Sequence, residues 1–91
     1  MIDLKLVRQY TKDLHILYVE DNETLRESTL KVLNNFFKKI DIAVDGRNGV
    51  DTYKTYQHTS GNAYDLIISD INMPHLNGVE MSAEILKLEP L

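Results

Sequence analysis

The sequence predicts an α/β domain in which a parallel sheet is covered by helices on both faces. Three short apolar runs are typical of strands, and each is followed by a segment whose apolar residues have helical spacing. Strands joined in this way form right-handed crossovers and pair in parallel. With 91 residues, 43% of them hydrophobic, and no cysteine, the chain can form one small core without disulfides.

The chain opens with a lead-in segment, residues 1–13, before the first strand. Ile2, Leu6 and Tyr10 are spaced by four, which predicts a short amphipathic helix over about residues 2–11. The segment lacks the apolar core of a signal peptide, and no run in the chain is long enough to span a bilayer. Together with the absence of cysteine, this leads us to expect a cytoplasmic protein.

The first strand and its helix come next. LHILYV, residues 14–19, is almost wholly apolar and predicts a buried strand. Asn22 can cap the following helix. The predicted apolar face of that helix contains Leu25, Val32, Leu33 and Phe36.

The second unit has the pattern of an edge strand followed by a helix. KIDIAV, residues 39–44, alternates apolar and polar positions, which predicts a half-exposed strand. A turn at Asp45-Gly46 leads into a helix of about three turns, marked by Val50, Tyr53 and Tyr56. The SGN sequence at residues 60–62 ends it.

The third unit begins with YDLIIS, residues 64–69. Its consecutive apolar residues predict a strand covered on both faces. After a proline-containing loop, Val79, Ala83 and Leu86 mark a third helix, which Pro90 ends.

Acidic residues follow two of the three strands. Glu20 and Asp21 end the first strand, and Asp70 ends the third. If these strands are neighbours, three carboxylates converge at the edge where open parallel sheets bind ligands. Two like charges about 4 Å apart at an effective dielectric of about 20 repel by roughly 4 kcal/mol, so either one acid is protonated or a cation is present. Oxygen ligands of this kind suit Mg²⁺.

Each acid also has a simpler interpretation when it is taken alone. Asp21 could do no more than help to start the helix, and Asp70 could do no more than begin a turn. The combination of the acids with D-x-N-M-P-x-x-x-G after the third strand favours a functional site. A carboxylate in such a site can act as a nucleophile.

The motifs LYVEDN, DGRNGVDTY and DLIISDINMPHLNG resemble the receiver domain of two-component response regulators, over about residues 14–90. The resemblance implies a flavodoxin-like doubly wound parallel sheet, truncated to three of the family's five βα units, in residues 14–91. The implied strand order is 2-1-3. The half-exposed second strand and the apolar third strand favour the same order independently.

The resemblance also implies residue roles. Asp70 matches the phosphoacceptor, and Asp21 matches the acid that binds Mg²⁺ directly. Glu20 matches the neighbour that holds the metal through water, and Asn72 contributes its backbone carbonyl. The implied phosphoryl donor is a sensor histidine kinase, and the domain assists its own phosphorylation rather than acting as a turnover enzyme. A phosphohydrolase is disfavoured because the sequence offers no clear general acid or base.

In the family, the fourth and fifth βα units, which this sequence lacks, carry a serine or threonine after strand four and a lysine after strand five. We therefore expect this chain to be phosphorylated poorly, and a structural interaction or dimerisation module is the alternative. Loss of the fourth strand would leave an open edge on the third strand, which predicts a homodimer through that edge or by segment exchange.

The net charge of −4, without a basic stripe, argues against nucleic-acid binding. We expect no membrane partner.

Overall fold

The computed structural model describes residues 4–69 and 77–87, with side chains from residue 8 onward. Its elements are α1 (Leu4–Thr11), β1 (His15–Val19), α2 (Glu23–Leu33), β2 (Lys39–Ala43), α3 (Gly46–Ser60), β3 (Leu66–Ser69) and α4 (Gly78–Leu86). The strands are parallel, in the order β2-β1-β3, which confirms the predicted topology. Within these ranges, none of the helices is long and apolar enough to cross a membrane.

The central strand β1 is the most deeply buried element. Ile16, Leu17, Tyr18 and Val19 are all at most 3% exposed, because strands flank β1 on both sides. Val19, the last residue of β1, is aligned with Ala43 of β2 and with Ser69 of β3. This register brings the ends of the three strands to one edge of the sheet.

The outer strands are only partly covered. Strand β2 lies at an edge, as predicted, and Ile42 is 40% exposed. The prediction that both faces of β3 are covered is wrong for Leu66, which is 43% exposed. Ile67 packs against the core, whereas the adjacent Leu66 points to the opposite face because side chains alternate along a strand.

Helix α2 begins as predicted but ends earlier. The Asn22 side chain accepts a hydrogen bond from the Leu25 backbone N–H at 2.9 Å and caps the helix. The helix ends at Leu33, so Phe36 lies beyond it rather than on its apolar face. Asn34 and Asn35 follow directly, and asparagine favours turns over helix interiors because its side chain competes for backbone hydrogen bonds. No residue of α2 is buried.

Helix α4 is present, but its buried face differs from the predicted one. Met81 and Ile85 are buried, whereas Val79 and Leu86 are 64% and 70% exposed. Ala83 is also exposed. The helix is apolar on more than one side, and contact with α3 selects the face that carries Met81 and Ile85. The predicted stop at Pro90 lies outside the described residues.

Helix α3 has well-defined ends and covers one face of the sheet. The Asp45 carboxylate caps it by accepting from the Asn48 N–H at 2.7 Å. Gly61 ends it with φ of 74°, a left-handed conformation that favours glycine. At 15 residues the helix is longer than the predicted three turns. Val50 and Tyr53 carry its packing into the core.

Gly49 marks the closest approach between α3 and its neighbours. A Cβ at this position would lie 2.6 Å from Met81 Sδ and 3.2 Å from Val19 Cγ2. Both neighbours are buried, so neither can move without disturbing the core. Overpacking costs about 1–3 kcal/mol, and replacing glycine in a helix recovers about 0.5–1 kcal/mol.

We expect Gly49→Ala to lower the free energy of unfolding by about 1–2 kcal/mol, measured by urea denaturation. Lys54→Ala, at an exposed position of the same helix, is the control and should change stability little. Unchanged or increased stability of Gly49→Ala would contradict this packing.

A polar and aromatic cluster joins β1, β2 and α3 at the start of the sheet. His15 Nε2 lies 2.9 Å from Asp41 Oδ2, and the Tyr64 hydroxyl donates to the same oxygen at 2.5 Å. The His15 ring makes edge contacts with Tyr56 and Tyr64. The Asp65 carboxylate accepts a hydrogen bond from the His15 backbone N–H at 2.8 Å, which fixes the chain just before β3 against β1.

The Tyr64–Asp41 hydrogen bond predicts a pH-dependent contribution to stability. Burial, and then the bond to the Asp41 carboxylate, raise the pKa of Tyr64 well above its ordinary value of about 10. Folding favours the neutral phenol, so this contribution is complete below about pH 10 and is lost as the pH rises toward the folded-state pKa.

We therefore expect the stability advantage of the unsubstituted chain over Tyr64→Phe to be constant between about pH 7 and 9 and to shrink above about pH 10. Urea denaturation across this range measures it. An advantage that grows above pH 10 would show that the folded state does not favour the neutral phenol.

Candidate functional site

The end of β1 presents two acidic residues at the edge where the strand ends meet. Glu20 follows Val19 directly, and its backbone N–H donates to the Ala43 carbonyl at 3.1 Å. This bond extends the pairing with β2 by one residue and fixes the Glu20 backbone. Glu20 is 4% exposed, whereas the adjacent Asp21 is exposed. Glu20 is therefore buried at this end of the sheet, and Asp21 faces solvent.

Glu20 is the one buried charged side chain among residues 8–69 and 77–87. Its Oε2 accepts from the Asn22 backbone N–H at 3.2 Å. Within the same ranges, its carboxylate forms no ion pair with lysine, arginine or histidine. Burial of a carboxylate without a cation is unfavourable, so this position fits a bound cation. Two oxygen-donor side chains beside solvent match the ligands that Mg²⁺ uses in proteins.

Arg26 is a part of the site that the sequence analysis did not find. Its Nη1 donates to the backbone carbonyl of Glu20 at 2.9 Å. Because Asn22 caps α2, the helix carrying Arg26 is fixed relative to the turn that contains the two acids. The sequence shows an arginine early in the helix that follows the acids, but the contact itself depends on the direction in which α2 leaves its cap.

The third predicted acid, Asp70, and the predicted backbone ligand Asn72 lie outside the described residues. The prediction that three carboxylates converge therefore stays a prediction. In the described part of the chain, no group of three histidine, aspartate or glutamate residues could hold a metal. Asp70 directly follows Ser69, which is paired with Val19 at the end of β1.

Helix α4 starts with a capping box that fixes the chain just after the undescribed segment. The Asn77 side chain accepts from the Glu80 N–H at 2.9 Å, and the Glu80 carboxylate accepts from the Asn77 N–H at 3.3 Å. Gly78, the glycine that ends the D-x-N-M-P-x-x-x-G pattern, is the buried first residue of the helix.

Comparison with known families identifies this arrangement. The family model of the response regulator receiver domain matches residues 16–91. The chain belongs to the receiver domain family. It is therefore a component of two-component signalling, and the alternative of a purely structural module is not favoured.

Several curated proteins contain a similar segment. Transcription factor prr1 of Schizosaccharomyces pombe is 36% identical over 70 residues, which cover 77% of this chain and 12% of that protein. The autoinducer 2 sensor kinase/phosphatase LuxQ of Vibrio harveyi is 36% identical over 77 residues, covering 84% of this chain and 8% of LuxQ. Two-component response regulator 24 of Arabidopsis thaliana is 35% identical over 75 residues, covering 79% of this chain and 48% of that protein. The chain thus spans less than half the length of these relatives.

Solved structures show the same fold. The N-terminal domain of an uncharacterized protein from Wolinella succinogenes has a TM-score of 0.72 and 33% identity, over 86% of this chain and 58% of that chain. The receiver domain of the histidine kinase CKI1 from Arabidopsis thaliana, complexed with Mg²⁺ and BeF₃⁻, has a TM-score of 0.78 and 21% identity. That match covers 94% of this chain and 63% of the CKI1 chain. The flavodoxin-like receiver fold is confirmed.

Proposed function

We propose that Asp70 accepts a phosphoryl group from a sensor histidine kinase with the help of Mg²⁺. The proposed metal ligands are Glu20, Asp21, Asp70 and the backbone carbonyl of Asn72. The observation that supports the proposal is the pairing of Val19 with Ser69, because Glu20 and Asp21 follow Val19 in the sequence and Asp70 follows Ser69. Membership of the receiver family supports the same assignment.

In the proposed reaction, an Asp70 carboxylate oxygen attacks the phosphorus of the donor's phosphohistidine. The phosphorus–nitrogen bond breaks, its electron pair returns to the imidazole, and an acyl phosphate forms on Asp70. Bound Mg²⁺ offsets negative charge on the transferring group. Arg26 positions the acidic turn by holding the Glu20 carbonyl. The domain thus assists its own phosphorylation and is not a turnover enzyme.

The location and extent of the domain are also part of the proposal. We place the protein in the cytoplasm, which the absence of cysteine supports because such chains need no oxidising compartment. We assign residues 14–91 to the receiver unit and residues 1–13 to a lead-in segment. The start of the family match at residue 16 is compatible with this boundary.

The metal requirement tests the phosphoryl-transfer proposal. We expect radiolabelled acetyl phosphate to label the chain at low occupancy in the presence of Mg²⁺. Removal of divalent ions with EDTA should abolish the label, and added Mg²⁺ should restore it. Labelling that persists unchanged in EDTA, or no labelling with Mg²⁺, would contradict the proposal.

We also infer that the chain forms a homodimer through β3. Among the described residues, β3 is the end strand of the sheet and pairs with β1 alone. The strand Leu66–Ser69 contains no charged residue that would discourage such pairing. Leu66 is also partly exposed beside this edge. The second proposed arrangement is an exchange of α4, in which α4 of each chain packs on α3 of the other chain, because α4 packs mainly on α3.

Light scattering over a dilution series tests the dimer. We expect a dimer at high micromolar concentration, and Leu66→Lys should shift it toward monomer because it places a charge beside the edge. Leu86→Lys is the matched control, since Leu86 is exposed on α4. A folded monomer of the unsubstituted chain at high micromolar concentration would rule out self-association. A Leu66→Lys dimer as stable as the original would exclude the edge and favour exchange of α4.

A further inference from the structure

We infer that Asn77 is a site of spontaneous deamidation, in which the chain modifies itself through a succinimide. The chain contains two Asn-Gly-Val sequences, at residues 48–50 and 77–79. Asparagine followed by glycine is chemically prone to this reaction, because glycine has no Cβ to hinder attack by its backbone nitrogen. The two sites share the same local chemistry, so the fold decides which of them reacts. The inference does not depend on the proposed phosphoryl transfer.

The reaction at Asn77 requires no reactant other than water. The backbone nitrogen of Gly78 attacks the side-chain Cγ of Asn77 and loses its proton to solvent. The Cγ–Nδ2 bond then breaks, its electron pair leaves with the nitrogen, and the nitrogen takes up a proton from water and departs as ammonia. Water opens the resulting five-membered succinimide at either carbonyl, which gives aspartate or isoaspartate at position 77.

Asn48 and Gly49 are held inside α3. The Gly49 N–H donates to the Asp45 carbonyl at 2.8 Å, and the Asn48 side-chain oxygen accepts from the Val44 N–H at 3.0 Å. Gly49 also lies so close to the core that not even a Cβ would fit there. Moving the Gly49 nitrogen toward the Asn48 Cγ would break its hydrogen bond and disturb this packing. The structure therefore protects Asn48.

Asn77 and Gly78 lie at the start of α4, where the backbone is less constrained. Asn77 is the N-cap, with φ of −73° and ψ of 169°, so its backbone is outside the helix. Gly78 is the first helical residue, and among the described residues its N–H has no acceptor. Turning the peptide unit between them breaks one backbone bond, from the Met81 N–H to the Asn77 carbonyl at 2.8 Å. Val79 is 64% exposed, whereas Val50, at the same place in the other sequence, is fully buried.

The cap of α4 also places a donor where negative charge develops. The Glu80 N–H donates to Asn77 Oδ1 at 2.9 Å. Attack at Cγ turns this amide oxygen into an oxyanion, which a backbone N–H at hydrogen-bond distance stabilises. Asn48 has a comparable donor in the Val44 N–H. The two sites therefore differ mainly in the freedom of the attacking glycine nitrogen.

Ageing of the folded chain in mildly alkaline buffer tests the inference, and tandem mass spectrometry of its peptides measures the products. We expect aspartate and isoaspartate to form at position 77 at least about tenfold faster than at position 48. Tenfold corresponds to about 1.4 kcal/mol of activation free energy, the upper part of the range for one hydrogen bond. In concentrated urea the two sites should react at nearly the same rate, because the fold that protects Asn48 is lost. Equal rates in the folded chain, or a difference that persists unchanged in urea, would overturn the inference.

Asn77→Ser is the matched variant, because serine also caps helices but cannot form a succinimide. After ageing, the original chain should unfold at a lower urea concentration than before, since isoaspartate lengthens the main chain by one carbon and breaks the capping box. Aged Asn77→Ser should unfold at the same urea concentration as fresh Asn77→Ser. An equal loss of stability in both chains would place the damaging modification elsewhere and overturn the assignment to Asn77.

Discussion

Replacement of Asp70 by asparagine is expected to abolish phosphoryl transfer to this chain. The amide has nearly the shape of the carboxylate but lacks the anionic oxygen that attacks phosphorus. Radiolabelled acetyl phosphate and a phosphorylated sensor histidine kinase should each label the unsubstituted chain at low occupancy with Mg²⁺. Both should leave Asp70→Asn at background.

Asp51→Asn is the matched control for this experiment, since Asp51 is an exposed aspartate on α3 and lies outside the proposed phosphoacceptor site. We expect it to be labelled as efficiently as the original chain. Undiminished labelling of Asp70→Asn would show that another residue accepts the phosphoryl group.

Replacement of Asp21 by alanine is expected to lower the affinity for Mg²⁺ by about tenfold or more, since supporting groups around metal ligands alone contribute about 10–100-fold. Asp21 is the exposed acid of the pair, so its removal should leave the fold intact. Calorimetric titration with Mg²⁺ and Mn²⁺ measures the change. Glu27→Ala, on the surface of α2, should bind both ions normally. Equal binding by Asp21→Ala and the original chain would remove Asp21 from the proposed metal site.

The sheet could be predicted from sequence because its three strands differ in apolar pattern. The almost wholly apolar run that contains β1 predicted a buried strand, and the alternation in β2 predicted an edge strand. The cap at Asn22 could also be predicted, because side-chain capping depends on residues only three apart. These features are encoded locally, within about one helical turn or one strand.

The features that were mispredicted depend on contacts between distant segments. Helix α4 is apolar on more than one side, and packing against α3 buries Met81 rather than Val79. Leu66 belongs to an apolar run, yet its exposure depends on which helix covers each face of the sheet. A single sequence specifies the side-chain pattern of an element but not the partner that selects its buried face.

The site likewise combines features that the local sequence predicts with features that depend on contacts between distant segments. The acids Glu20 and Asp21 lie at the end of β1, where the strand pattern placed them. The contact of Arg26 with the Glu20 carbonyl depends on the direction of α2 after its cap, which the motif alone does not give. The meeting of His15 with Asp41 joins residues of two strands and depends on sheet register. The roles of Asp70 and Asn72 come from the family resemblance.

Direct location of the phosphoryl group tests the central claim most sharply. Borohydride reduces an aspartyl phosphate to homoserine, which tandem mass spectrometry can assign to a single residue. After phosphorylation with acetyl phosphate and Mg²⁺, we predict homoserine at position 70 and at no other aspartate. Homoserine at Asp21 or another aspartate, with Asp70 unmodified, would contradict the assignment of Asp70 as the phosphoacceptor.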